Sequence, residues 1–465
     1  MPSTLFDRLW EAHVVAELGG GWALLHIDRH LLHDLSGSGG LATLAERGLP
    51  LNRPDLTFAT ADHAVSSAPG RTGETYDQGA PLYRVLREQS QKVGIPFFDI
   101  GQRGQGIVHV MAPELGITLP GTTLVCGDSH TCTHGGLGAL AFGIGSSELV
   151  HVLATQTLRQ KKPRQMRIVY EGALKPGVTA KDLALHVIGT LGAAAGTGHA
   201  IEHAGPGIAA LPIEARLTLC NMSVELGSKI ALCAPDQATV DYLRGKPFAP
   251  AGADFDAAIA DWSELRTDDG ARFDREALFN LGCVPPTITW GTSPEHAIAI
   301  DGTAPDPCAA PDAARREAWQ AALDYMGLTP GQKLCGTPVD WVFIGSCANA
   351  RLTDLRDAAR VVRGRRVAAA VKAWVVPGSV EVKDAAEAEG LDEIFRAAGF
   401  EWREPGCSMC VAANGEVVPP GRRAVSTSNR NFVGRQGPGA RTHLASPASA
   451  AAAAIAGAIA DIREI

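Results

Sequence analysis

Apolar residues along this chain gather in short uninterrupted runs, each followed by a glycine-rich turn and then by a stretch with helical spacing. TTLVC (122–126) predicts a buried strand leading into the turn GDSH, and the glycines of GGLGALAFGIG then permit tight packing before a helix from about Ser146. WVFIG (341–345) predicts a second such strand, and RLTDLRDAARVVRG behind it has the pattern of an amphipathic helix. AVKAWVVPGS then predicts a strand, DAAEAEGLDEIFRAAGF a helix and EWREPGCSMC a turn. This rhythm recurs in every third of the chain and predicts an α/β fold of parallel sheets covered by helices. The expected domains are 1–165, 166–300 and 301–465. PDPCAAPDAARREAWQ (305–320) reads as a linker or surface helix before the last, and a softer boundary lies near 161–167. No repeat of fixed short period is visible.

In open α/β sheets ligands bind at the carboxyl edge of the strands, and a following helix N-terminus favours an anion there. Cys347, in FIGSCANAR, falls at that edge, while Cys407 and Cys410 fall in the turn EPGCSMC. Three thiolates can thus meet in one late domain. Three ligands on a four-iron cluster leave one iron open to substrate, whereas four would close it. Taken alone, the C-x-x-C spacing also suits zinc, for which the tail offers only His443, or unliganded thiols. The other cysteines, 126, 132, 220, 233, 283, 308 and 335, read as small buried hydrophobes.

At 465 residues with 45% apolar composition the chain has material for two to four packed domains. A net charge of −8 and a pI near 6.0 argue against a dedicated nucleic-acid or membrane-surface binder. The one basic run, RQKKPRQMR (159–167), reads as a solvated loop. MPSTLFDRLWEAHVV has acidic residues and no apolar core of a signal peptide, so a cytoplasmic location is expected. The apolar tract Ala448–Ala460 is too short for a bilayer and reads as a buried helix.

Histidines beside acids form the second chemical pattern: Asp62-His63, His109 at a predicted strand end, and Asp128-Ser129-His130 followed by His134. An acid next to an imidazole sets its tautomer and supports proton transfer. Asn221 and Glu225 stand four apart and are expected on one helix face. In STSNRNFVGRQGPGAR (426–441), Asn429, Arg430, Arg435 and Arg441 lie among glycines, a composition suited to carboxylate capture.

Read in order, DH, GIVH, GDSHT-THG, CNM-x-x-E, IGSC-x-N, GCSMC and SNRNF-x-GR resemble the aconitase superfamily, nearly end to end. The resemblance implies three doubly wound α/β/α domains around an iron–sulfur cleft, with the swivel domain absent. It implies one [4Fe-4S] cluster on Cys347, Cys407 and Cys410, whose open iron binds a hydroxyl and a carboxylate of the substrate. It places His33, Asp62, His63, His109, Asp128, Ser129 and His130 in substrate binding and proton relay. Asn221 and Glu225 fall beside the cluster, and Asn429, Arg430 and Arg435 hold cluster or carboxylate. The implied reaction is a hydro-lyase isomerisation of a 2-hydroxy dicarboxylate, in leucine biosynthesis.

A base is still needed for the C–H proton. In single-chain relatives it is a serine on a swivelling domain, so the resemblance implies that a separate small subunit supplies it. GIGSSEL (143–149) reads instead as a packing or capping motif. Departures from the family pattern at Ala64, Cys132, Ala348, Ala350, Val433 and CVPPTITWG (283–291) bear on the substrate pocket. They keep a citramalate, dimethylmalate or homoaconitate-type reaction in view. An RNA-binding regulator is opposed by the acidic balance, and a zinc-stabilised scaffold is separated by colour.

Overall fold

The computed structural model describes residues 2–465, which divide into two compact units. Unit 1 comprises Met1–Val65, Thr72–Ala173 and Ala194–Leu281; unit 2 comprises Ser66–Arg71, Leu174–Ala193 and Gly282–Ile465.

Unit 1 holds two parallel sheets and a small antiparallel one. The first has five strands in the order Phe97–Phe98, Thr57–Thr60, Arg29–His33, Thr123–Cys126, Leu140–Gly143. Thr57–Thr60 and Thr123–Cys126 are buried throughout, which is why TTLVC reads as an apolar run rather than an alternating one. The second sheet runs Ile230–Leu232, His199–Ala204, Arg164–Glu171, Arg275–Asn280, all parallel. Val14–Gly19, Trp22–His26 and Thr157–Lys161 make the antiparallel sheet. RQKKPRQMR is therefore not a loop: its ends are strands of two different sheets, and only Lys162-Pro163 turns between them.

Unit 2 carries a five-stranded parallel sheet in the order Glu401–Trp402, Lys372–Val375, Trp341–Ile344, Arg423–Ser426, Arg441–Leu444. Both five-stranded sheets share one winding. The first strand is central, the next two build outward on one side and the last two on the other. Such a reversal opens a crevice at the carboxyl ends of the middle strands. Thr287–Thr289 and Ala297–Ala299 form an antiparallel pair in the same unit.

Local chemistry fixes the helices. Ser146–Thr155 starts where the Glu148 carboxylate accepts the Gly145 N–H at 2.9 Å, the capping role expected of GIGSSEL. Leu352–Val362 buries Leu355, Ala358, Ala359, Val361 and Val362, one amphipathic face. The helix expected over DAAEAEGLDEIFRAAGF is two, Val380–Ala388 and Leu391–Ala398, divided at Gly390 with φ +69°. Pro447–Ala456 is buried on nearly every side and packs on Leu352–Val362, an approach its alanines allow. In the 305–320 tract, Pro307–Ala309 is a short turn and Ala313–Met326 a largely exposed helix, begun by Asp312 accepting the Arg315 N–H. Among the described residues no helix is long and apolar enough to cross a membrane.

Helix Ala180–Leu191 belongs to unit 2 although unit 1 flanks it in sequence. Its fully buried Lys181 donates to the carbonyls of Thr427 (2.9 Å) and Ser428 (2.7 Å), fixing the backbone just ahead of Asn429. Next to it, burial pushes the Asp182 carboxyl up to about 6, against hydrogen bonds from Thr287 and Thr179. Lys181→Met removes both charged bonds and should cost about 2–3 kcal/mol. A lower urea midpoint at unchanged slope is the expected result, and an unaltered midpoint would refute it.

Candidate functional site

In unit 1 the carboxyl ends of three adjacent strands deliver an interlocked set of acids and histidines. His33 ends the central strand, and its ring stacks on His63 with centroids 4.3 Å apart. Asp34, fully buried, accepts the N–H groups of His63 (3.0 Å) and Ala64 (2.6 Å) and so shapes the turn after Thr57–Thr60. Asp62 meets His63 Nδ1 at 2.5 Å, and its second oxygen accepts the Val108 N–H at 3.0 Å. On its other side His63 Nε2 faces Asp128 at 3.1 Å. Both nitrogens of His63 thus point at carboxylates, an arrangement that suits an imidazolium donating from each.

Asp128 is the hub. Besides His63 it faces His109 Nε2 and His130 Nδ1, each at 3.4 Å, and accepts the His130 N–H at 2.7 Å. His130 Nε2 reaches Glu225 at 3.0 Å. From His109 a further path runs through His134 (3.0 Å) to the Thr118 hydroxyl (2.7 Å). Burial alone would raise the Asp128 carboxyl, but bonds from His109, His130 and His63 hold it well below the usual carboxylate range. Asp34 has fewer compensations; burial and the adjacent Asp62 push it up.

In unit 2 the cysteines lie in unusual backbone. Ser346, just before Cys347, has φ +80°, and Ser408, just after Cys407, has φ +49°. Conformations of this kind cost of order 1–3 kcal/mol each and persist where the surroundings enforce them. Here the Ser346 hydroxyl donates to Thr427 O at 3.0 Å. Ser408 donates to Glu416 at 2.6 Å, and Glu416 also takes bonds from Ser66, Ser67 and Arg403. Cys347, Cys407 and Cys410 are all buried. The amide of Asn429 lies 3.6 Å by its nitrogen from the Cys347 sulfur and 3.5 Å by its oxygen from that of Cys410. Arg435 Nε donates to the Cys410 carbonyl at 2.9 Å, and half-buried Arg430 follows Asn429 directly.

Zinc–sulfur bonds of about 2.3 Å draw tetrahedral thiolates to within about 4 Å of one another. Among the described residues the one set of three or more His, Cys, Asp or Glu ligand atoms lying within 4.8 Å of one another is His33, Asp34, Asp62 and His63, so Cys347, Cys407 and Cys410 do not all stand that close. His443, the fourth ligand a zinc site would want, donates from Nδ1 to Thr289 O at 2.6 Å and accepts from Arg423 at 2.8 Å. Burial and the three-thiol donor set fit an iron–sulfur group.

The sequence model of the aconitase family (aconitate hydratase) matches residues 7–457. This chain belongs to the aconitase family. A curated relative, 3-isopropylmalate dehydratase large subunit 1 of Bradyrhizobium diazoefficiens, is 63% identical over 460 residues, covering 99% of this chain and 96% of that protein. Among solved structures, holo-form aconitase X of Thermococcus kodakaraensis aligns with a TM-score of 0.47 and 14% identity, over 88% of this chain and 84% of that one. Aconitase-family enzymes carry a 4Fe–4S cluster.

Within this aconitase-family chain, His33, Asp62, His63, His109, Asp128, His130 and Glu225 form one hydrogen-bonded and stacked set. Ser129 is exposed beside it. Two expected placements differ. His109 lies in helix Val108–Glu114, whose almost wholly buried residues hide the helical period. Asn221 and Glu225 do not share one helix face, because the α-helix ends at Met222 and Glu225 sits on the tighter turn Ser223–Leu226. Asn221 instead donates to the Thr133 hydroxyl at 2.8 Å. Among the other cysteines, Cys283 and Cys308 are exposed and Cys335 half-buried rather than buried. Asp34, Glu416 and Lys181 escaped sequence reasoning: each is an ionisable residue with a partner far from it in sequence.

Asp128→Asn should cost about 3 kcal/mol at neutral pH. Because the native carboxyl is held low, that contribution is present above about pH 3.9, the unfolded value, and is lost as pH falls through the native one. The carboxylate's own share of the stability gap between parent and variant should thus hold down to about pH 4 and be lost below it. Urea titrations from about pH 8 to 3 test this, and a gap that does not narrow below about pH 4 would contradict it.

Proposed function

We propose that this chain is the large subunit of a 3-isopropylmalate dehydratase. It would interconvert 2-isopropylmalate and 3-isopropylmalate through isopropylmaleate, in the cytoplasmic pathway to leucine. The observation that carries this reading is the 63% identity, over 99% of the chain, to a relative bearing that name. The acid–histidine set and the buried thiols supply residue types that reversible loss of water from a 2-hydroxy diacid needs.

In this reading Cys347, Cys407 and Cys410 hold one [4Fe-4S] cluster. When bound, it supplies a Lewis-acidic iron that weakens the bond to the departing hydroxyl. The chain's own groups handle protons and carboxylates. His63, clamped between Asp62 and Asp128, and His130, between Asp128 and Glu225, would supply a proton to the departing oxygen. His109 sits on the path to His134 and can pass a proton along it. His33 and Ser129 contribute substrate contacts, and Asn221 steadies the turn that presents His130 by bonding Thr133. Asn429 fixes two cysteines, while Arg430 and Arg435 offer guanidinium hydrogens to substrate carboxylates. The base for the C–H proton comes from a serine on a separate small subunit.

The test is anaerobic. The chain is loaded with iron and sulfide, and isopropylmaleate formation from 3-isopropylmalate is followed with and without the small subunit. Turnover only with both chains is expected; a loaded, brown pair that turns over citramalate instead would overturn the substrate, and a colourless protein would overturn the cluster. His63→Gln should retain the colour and lose about 10²–10⁴ in kcat. Cys407→Ser should lose bound iron and sulfide, measured directly by metal and sulfide analysis.

A further inference from the structure

Residues 160–164, inside the basic run 159–167, take no part in the reaction above. At the amino ends of three strands of the four-stranded sheet in unit 1 lies a cavity of about 510 Å³. Trp10 and Phe142 line it as apolar walls, and Lys161, Arg164, His199 and Lys229 contribute polar groups. Small-molecule sites typically occupy about 300–1,000 Å³, mostly apolar with a few convergent polar groups, and this cavity meets both conditions. It shares no residue with the acid–histidine set.

Its charge is uncompensated. Lys162, the neighbour in sequence, is taken by Asp7 at 2.8 Å. By contrast Lys161, Arg164 and Lys229 have no carboxylate partner among the described residues, in a chain whose net charge is −8. The Lys229 ammonium instead stands 5.7 Å from the centre of the Phe142 ring. His199 donates from Nδ1 to the Thr197 carbonyl at 3.0 Å. Cations without counter-ions beside an aromatic wall match a ligand with one anionic end and one apolar body.

We propose that this cavity is a second ligand site, for a small organic anion with an apolar or aromatic body and a carboxylate or phosphate head. Anilinonaphthalene sulfonate has that chemistry and serves as the probe, titrated into the full, cluster-loaded chain and followed by its fluorescence. One saturable site is expected, weakened at least tenfold by the double variant Arg164→Glu, Lys229→Glu. Both residues are exposed, and circular dichroism checks the fold of the variant. The uncharged N-phenylnaphthylamine should bind more weakly and be insensitive to the variant. Arg363→Glu, in the separate arginine-lined hollow of unit 2, is the control for general electrostatics and should change nothing. Displacement by hexanoate or by phenyl phosphate identifies the preferred head group. The proposal is overturned if charge reversal leaves the probe's affinity intact, if the control lowers it equally, or if neither competitor displaces it.

Discussion

A carboxylate taken out of water must be met by donors or lose its charge, and much of this architecture answers that constraint. Asp62, Asp128 and Glu416 are met, by histidines in unit 1 and by serines and Arg403 in unit 2, and each is held below its ordinary value against the penalty of burial. Asp34 is met chiefly by backbone N–H groups and pays in a raised pKa. The difference has a chemical meaning. Carboxylates facing imidazoles stay anionic, whereas one facing amides mainly shapes the chain.

The two five-stranded sheets show how one winding serves two chemistries. In each, reversal of strand order at the first strand leaves a crevice at its carboxyl end. Unit 1 fills those ends with His33, Asp62-His63 and Asp128; unit 2 fills the corresponding ends with Cys347 and Asn429. The helix after Cys347 begins only at Leu352, so its dipole is not what presents the thiol. Positive-φ serines beside the cysteines, anchored by Thr427 and Glu416, take that role.

How much of this was legible follows from the physics of each signal. Fully buried strands such as Thr123–Cys126 and Trp341–Ile344 announce themselves because both faces must be apolar. The cysteines and the acid–histidine pairs stand out because few structural roles need those residues together. Periodicity fails where burial is uniform, as around His109, and where a helix tightens in its last turn, as before Glu225. A charge run says little about its partners, so Lys161–Arg164 looked like solvated loop although strands begin and end inside it. Lys181 and Glu416 are invisible for the same reason: each takes a partner more than two hundred positions away.

That dependence has a temporal side. Unit 1 is complete in sequence at Leu281, but helix Ala180–Leu191, enclosed between its segments, is built for unit 2. The acceptors of Lys181 lie 246 and 247 positions downstream. At roughly 5–20 residues per second of synthesis, the helix emerges on the order of 10 to 50 seconds before they exist. During that interval a buried-type lysine and aspartate face water while the surrounding segments can already close. The growing chain must therefore hold this loop outside a folded unit 1 until its last strands are made, and the ribosome's pace becomes part of how the cysteine-bearing unit is assembled.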